Sequence, residues 1–401
     1  MTVNSGGDRQ KTDPDSFRIH ETPNPEEPGS EASGAGRGLD FPSLYTGSQN
    51  LIRQLLKAPA TMTPVIQIGA VTMGPWSALK SLLPSSIASP YAAGSSICCR
   101  TKILCVVNGF GGDHFVRLAE SFGDLLAISE LAFPFNSPID LSSVCSAARA
   151  FRPEIITVVH CEVATGLINS NEIMAGIGQI ADEVNALYVI DVISSAGSTA
   201  IDLASWRADI ACLGVEQALG LPPVQSIVMV SERAWSRIDQ VKYYGYDSLL
   251  EWRYAYRTRD HAIPYKHWRP GLLDLYISLQ RLLSENNLIE RHARAKDYVI
   301  QRGAALGLEL FVSSPLCSSP TGTVFKVPTK ICGTEFRRTL LTKFDVDVGD
   351  HLEHIGDRIF RVAHMGFEET DLKLLQCAMN AIESTLNDFQ NNNTAQRYRT
   401  V

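Results

Sequence analysis

Four short apolar runs, Ile103-Leu-Cys-Val-Val107, Ile155-Ile-Thr-Val-Val159, Ala186-Leu-Tyr-Val-Ile190 and Ile227-Val-Met-Val230, recur between stretches of helical periodicity. Runs of this length without polar alternation are buried on both faces, as in a mostly parallel sheet covered by helices. The chain is therefore read as α/β. Apolar positions Leu44, Leu51, Ile52, Leu55 and Leu56 fall at helical spacing and predict a helix within 40–58, and a second is expected over 75–83. Between them lies the loop Gly69-Ala-Val-Thr72. Residues 249–283 are expected to lead into a long helix.

The 401 residues are 45% hydrophobic and 20% charged, enough to bury a large domain over 39–284 and a smaller α+β domain over 285–388. Residues 1–38, rich in Gly, Ser, Pro, Asp and Glu, read as a disordered tail, and 389–401 as a flexible one. A net charge of -7 and no basic stripe exclude a nucleic-acid role. Nine cysteines without CxxC or Cys/His spacing read as thiols of a reducing compartment rather than a metal site. No run approaches a membrane span and no signal core is present, so a cytoplasmic protein is expected.

Three motifs carry chemistry. The first is Asn108-Gly-Phe-Gly-Gly112. The second is His160-Cys-Glu-Val-Ala-Thr-Gly166, followed after a helix by Val189-Ile-Asp-Val-Ile-Ser-Ser-Ala-Gly197. The third is Phe360-Arg-Val-Ala-His-Met-Gly366. His160 and Glu162 stand at the C-terminal end of a predicted strand, where open α/β sheets place ligand sites, although a histidine there serves equally well as a hydrogen-bonded core residue. Arg361 suits a bidentate carboxylate clamp or a buried structural ion pair. His364, three residues on, is a candidate general base near neutral pH. The aromatic cluster around Tyr243, Tyr244, Tyr246, Trp252, Tyr254 and Tyr256 can wall an apolar pocket or pack in a core.

Together these motifs resemble the class V aminotransferases, the alanine:glyoxylate and serine:pyruvate group, over residues 40–386. The resemblance implies the pyridoxal-phosphate (PLP) transferase fold of type I, with a mostly parallel seven-stranded sheet and a homodimer whose active sites lie at the interface. It also implies that Asp191 faces the pyridine nitrogen and keeps the ring protonated, that Ile193 lies under the ring, and that Thr72 and Thr165 line the cofactor. Gly69-Ala-Val-Thr72 would be the phosphate cup at a helix N-terminus. Lys266 and Arg269 would reach the partner's site.

The departures matter more. Where the family reads Ser-Gly-Ser-Gln-Lys-Ala-Leu-Gly, this chain reads Leu213-Gly-Val-Glu-Gln-Ala-Leu-Gly220, which puts Gln217 in place of the Schiff-base lysine. An amide nitrogen is neither basic nor nucleophilic, so it forms no imine. Val71, Ala164 and Gly111 replace a glycine, a serine and a stacking aromatic, and Arg269 or Pro270 replaces a threonine. The expectation is a repurposed enzyme with no covalently bound PLP, binding a carboxylate-bearing small molecule through Arg361. Acid–base groups drawn from His160, Glu162, Glu216, Gln217 and His364 would catalyse a cyclisation, isomerisation, condensation or elimination in specialised metabolism. Noncovalent PLP or pyridoxamine phosphate (PMP), or a non-catalytic partner or sensor subunit, are the alternatives.

Overall fold

A computed structural model describes residues 38–83, 100–257, 263–265, 267–284, 288–349 and 355–399, with side chains described only outside 256–257 and 392–399. Everything below concerns the unit Leu39–Val401. The first helix, α1 (Phe41–Leu55), starts where the Asp40 carboxylate accepts from Ser43 N, and it leads into β1 (Thr63–Ile68) and α2 (Met73–Leu82). Then follow β2 (Thr101–Val107), α3 (Phe110–Glu120), β3 (Leu126–Ala132), α4 (Leu141–Phe151) and β4 (Ile155–Val159). A small hairpin, β5 (Cys161–Glu162) and β6 (Leu167–Ile168), precedes α5 (Asn171–Val184), β7 (Leu187–Asp191) and α6 (Leu203–Trp206). The sheet is completed by β8 (Ile210–Gly214) and β9 (Gln225–Val230), and α7 (Glu232–Val241), α8 (Leu250–Arg257), α9 (Arg269–Ser284) and α10 (Leu288–Ala305) follow. Last come β10 (Gly322–Lys326), α11 (Gly333–Phe344), β11 (Ile359–Ala363) and α12 (Leu372–Arg399).

Seven strands form one sheet in the order β1-β9-β8-β7-β4-β2-β3, and only β9 runs against its neighbours. The expected mostly parallel sheet is thus present. Its strands β4, β8 and β9 are buried along their whole length, which is why β4 and β9 read as unbroken apolar runs. Each fully buried Val, Leu or Ile contributes about 1.5–3 kcal/mol of apolar transfer free energy, so these strands are the fold's chief anchor. A second core gathers Phe325, Phe336, Phe360, Val362 and Met379 around the antiparallel pair β10–β11. The helix expected over 75–83 begins two residues earlier at Met73, and α12 continues to Arg399, past the expected start of the flexible tail. No helix among the described residues is long and apolar enough to cross a membrane.

Candidate functional site

The C-terminal ends of β1, β2, β4, β7 and β8 lie on one edge of the sheet; the first two motifs follow β2, β4 and β7 there, while the third lies on β11. Open sheets gather ligands at this edge because chain leaving the strands exposes helix N-termini and free side chains there. Gly69 follows β1, its N–H donates to Val224 O (3.0 Å), and its φ of +151° is a backbone conformation that side-chain-bearing residues rarely adopt. The loop then closes on itself before α2, Met73 N donating to Ala70 O (2.8 Å) and Gly74 N to Val71 O (3.2 Å). Thr72 is exposed and makes no side-chain cap. Between α2 and α3 a recess of about 300 Å³ is lined by Gly69, Ala70, Thr72, Trp76 and His114, among others.

Glu162 caps α3. Its carboxylate accepts from Gly111 N (2.9 Å) and Gly112 N (2.8 Å), the free donors of a helix N-terminus whose dipole favours an anion. The fit demands glycine: a Cβ on Gly109 would lie 2.3 Å from the Glu162 carboxyl carbon, and one on Gly111 3.3 Å from its oxygens. Only 3% of Glu162 is exposed, and burial outweighs the two N–H bonds, raising the carboxyl from 4.5 to about 7. At the end of β7, Asp191 Oδ1 accepts from Ile193 N (2.7 Å). Burial, with a smaller contribution from the Glu162 charge, pushes this carboxyl up to about 7 as well. Desolvation thus pushes both carboxyls in the same direction, toward neutrality.

After β8, Glu216 Oε2 accepts from Val215 N (3.0 Å), and burial raises its pKa. Val71 Cγ2 and Glu216 Oε2 approach the same face of Gly214, 2.6 and 2.8 Å from where a Cβ would stand, which places a carboxylate beside the Gly69–Thr72 loop. Gln217 is half-buried, and its Oε1 has no hydrogen-bond partner among the described residues. The Gln217 carbonyl lies 3.3 Å from where a Cβ on Gly366 would stand, tying this loop to the segment after β11. Arg361 sits on β11 opposite Val324. Its Nε is buried without a partner among the described residues, and burial lowers its pKa. A Cβ on Gly349 would fall 2.8 Å from its Nη2.

Three expected residues lie elsewhere in the architecture. His160 is 1% exposed, its Nδ1 is 2.8 Å from Ser195 Oγ, and its ring meets Trp206 edge-on at 4.7 Å; burial lowers its pKa to about 3. His364 is fully buried, Nδ1–H donating to Pro320 O (2.9 Å) and Nε2 lying 2.9 Å from Thr323 Oγ1, with burial lowering it to about 4. Both are buried, hydrogen-bonded core imidazoles, a setting at odds with the acid–base role expected of them. Thr165 closes a turn, its hydroxyl donating to Glu162 O (3.2 Å). Ile193 is 9% exposed and touches the site through its N–H. His267 packs against Tyr45 and Trp252 with Nε2 donating to Ile66 O (2.8 Å), and Arg269 reaches Leu39 O (2.7 Å). Lys266 lies outside the described residues. The capping role of Glu162 and the Asn108–Asn169 pair (3.0 Å) join residues 50 to 61 positions apart, a distance no local pattern signals.

The strand order and the placement of these loops define the PLP-transferase fold. A pyridoxamine-pyruvate aminotransferase structure from Mesorhizobium loti aligns with a TM-score of 0.77 at 22% identity, over 87% of this chain and 85% of that one. An alanine–glyoxylate aminotransferase from a Nostoc species gives 0.76 at 22%, over 86% and 87%. Among sequences, the chain is 28% identical to an uncharacterized aminotransferase of Methanocaldococcus jannaschii over 70% of this chain and 73% of that protein. It is 27% identical to the pyridoxamine–pyruvate transaminase of Mesorhizobium japonicum, over 69% and 70%. No family model matches the chain. The two relatives and two solved structures named here are aminotransferases, and the chain shares their fold as an aminotransferase-like scaffold.

Proposed function

We propose that this protein is an enzyme that has kept the class V scaffold and abandoned covalent PLP. It acts on a small carboxylate-bearing substrate, with Arg361 holding the carboxylate and Asp191 and Glu162 moving protons. The observation that carries this reading is the pair of carboxyls, Glu162 buried in the β5 hairpin and Asp191 partly buried at the end of β7, both raised by desolvation to about 7. A group that titrates near the working pH both gives and takes a proton at low cost, which is what isomerisation, cyclisation, condensation or elimination requires. Arg361 Nε, which has no hydrogen-bond partner among the described residues, supplies the second element, because a desolvated guanidinium gains most from a carboxylate.

PLP as held in an internal aldimine does not fit these residues. Gln217, at the position matched to the Schiff-base lysine, offers an amide. The Glu216 carboxylate stands beside the loop that would cradle a phosphate dianion, and the Val71 side chain of that loop lies against Gly214. Asp191, retained where a pyridine nitrogen would be met, favours a second reading: PLP or PMP bound noncovalently. Absorbance of the purified protein from the near ultraviolet to the visible, before and after adding each vitamer, separates the two. We expect a spectrum that is the sum of its parts. A retained chromophore after desalting would establish the second reading. We further propose the division into 39–284 and 285–388 and a homodimer, the latter tested by sedimentation velocity.

A further inference from the structure

A chain of buried hydroxyls and one thiol connects the neighbours of all three residues assigned above. Cys161, adjacent to Glu162, places Sγ 3.2 Å from Ser319 Oγ. Ser319 Oγ lies 3.0 Å from Thr321 Oγ1, and Thr321 Oγ1 donates to the carbonyl of Ser194 (3.1 Å), three residues beyond Asp191. The carbonyl can only accept, and this sets every proton in the row. Thr321 donates to Ser194, Ser319 donates to Thr321, and Cys161 S–H donates to Ser319, whose oxygen also accepts from Thr321 N–H (3.1 Å). Burial holds the Cys161 thiol protonated, pushed up to about 12, as the row needs. Cys161, Ser194, Ser319 and Thr321 are 3%, 6%, 0% and 0% exposed.

The next residue, Gly322, touches Arg361. A Cβ there would stand 3.2 Å from Arg361 Cδ and 3.3 Å from Val163 Cγ2, so the backbone at 322 is the spacer between the arginine stem and the Glu162 loop. The far side is fixed by His364, whose N–H donates to Thr321 O (3.0 Å) and whose Nδ1–H donates to Pro320 O (2.9 Å). Apolar packing alone would let β10 slide against the β5–β6 hairpin, whereas a satisfied, one-way row of hydrogen bonds in a dry interior does not. Separations matter at this scale, since a misplacement of about 1 Å can lower a rate on the order of a hundredfold.

We propose that Cys161, Ser319 and Thr321 are positioning residues, a buried row that sets the distance from the Arg361 guanidinium to the Glu162 and Asp191 carboxyls. The inference rests on the reading of those three groups as the ones that face substrate. Its test uses the full chain labelled with ¹⁵N-arginine, with the Arg361 Nε–H signal identified by its loss in Arg361→Lys and pyruvate as the carboxylate probe. Thr321→Val removes the hydroxyl at nearly constant volume, and Thr321→Ser retains it.

In Thr321→Val the backbone amides of β10 and β11 should keep their positions, while the Arg361 signal broadens or splits and the pyruvate dissociation constant rises at least tenfold. Thr321→Ser should restore both. An unchanged Arg361 signal in Thr321→Val, or a serine variant that behaves like the valine one, overturns the proposal. A wild-type Arg361 signal that ignores pyruvate yet is disordered by Thr321→Val would remove the clamp assignment and leave the positioning row standing. Should Thr321→Val not fold, Ser319→Ala carries the same readouts and the same expectations.

Discussion

Replacing Glu162 with glutamine should alter stability in opposite directions at the two ends of the neutral range. The carboxyl is raised from 4.5 to about 7 by burial, so the folded protein holds the proton through the window in which the unfolded chain has ionised. The stability carried by the protonated form is complete below the unfolded value and is lost as pH rises through the folded one. At about 1.4 kcal/mol per tenfold change the loss amounts to roughly 3 kcal/mol. Glutamine cannot ionise and escapes this loss. Its amide, however, presents an NH₂ to one of the two donors at Gly111 and Gly112, which costs about 1–2 kcal/mol at every pH. Glu162→Gln should therefore be about 1–2 kcal/mol less stable than the parent near pH 5 and about as much more stable near pH 8. Urea unfolding across that range reads both signs. A difference that does not vary with pH, or a loss that persists at the alkaline end, would refute the assignment of a buried, protonated carboxyl on α3.

Four further outcomes follow from the same geometry. Arg361→Lys should weaken pyruvate binding by about 2 kcal/mol or more by calorimetry, because an ammonium cannot reproduce a planar two-pronged contact, and equal affinity would contradict the clamp. His364→Phe should lower stability by about 2–4 kcal/mol in thermal unfolding through two lost buried hydrogen bonds, and leave the pH dependence of any activity unmoved. Gly109→Ala, whose methyl would collide with Glu162, should destabilise by about 1–3 kcal/mol or more in the same assay, and a neutral result would mean that the cap is loose. Gln217→Lys mixed with PLP should give no lasting imine band in the visible, since the Glu216 carboxylate beside the phosphate loop remains; a stable band would show that the amide alone had displaced the cofactor.

Most of the sheet was legible because its central strands are buried on both faces, and their composition records that directly. Three strands escape notice, and two of them are its edges, β1 and β3. Pro64 and Gln67 interrupt β1, and β3 carries Ser129 and Glu130 with one face toward solvent, so neither reads as a continuous apolar run. The β8 strand was hidden in a different way: Asp209 to Gly220 was read for its resemblance to a lysine loop rather than for its apolar start. At the site, the motifs name Glu162, Asp191 and Arg361 as candidates but carry no indication of depth. His160 and His364 have the residue type of an acid–base group, and only the packing of Trp206, Thr323 and Pro320 around them removes that role. The row from Cys161 through Ser319 spans 158 positions of sequence, and nothing local announces it.

The seat of Glu162 on α3 also limits what the site will accept. An N-terminal turn that would otherwise attract any passing phosphate or sulfate is held by a tethered carboxyl group of the chain itself, at an effective concentration in the millimolar range or far above. A free anion must outcompete this internal occupant before it can use those donors, so ordinary buffer salts should leave α3 untouched. Selection among ligands is thereby shifted to the Arg361 end, and a molecule whose only charge is a phosphate would meet a position already filled.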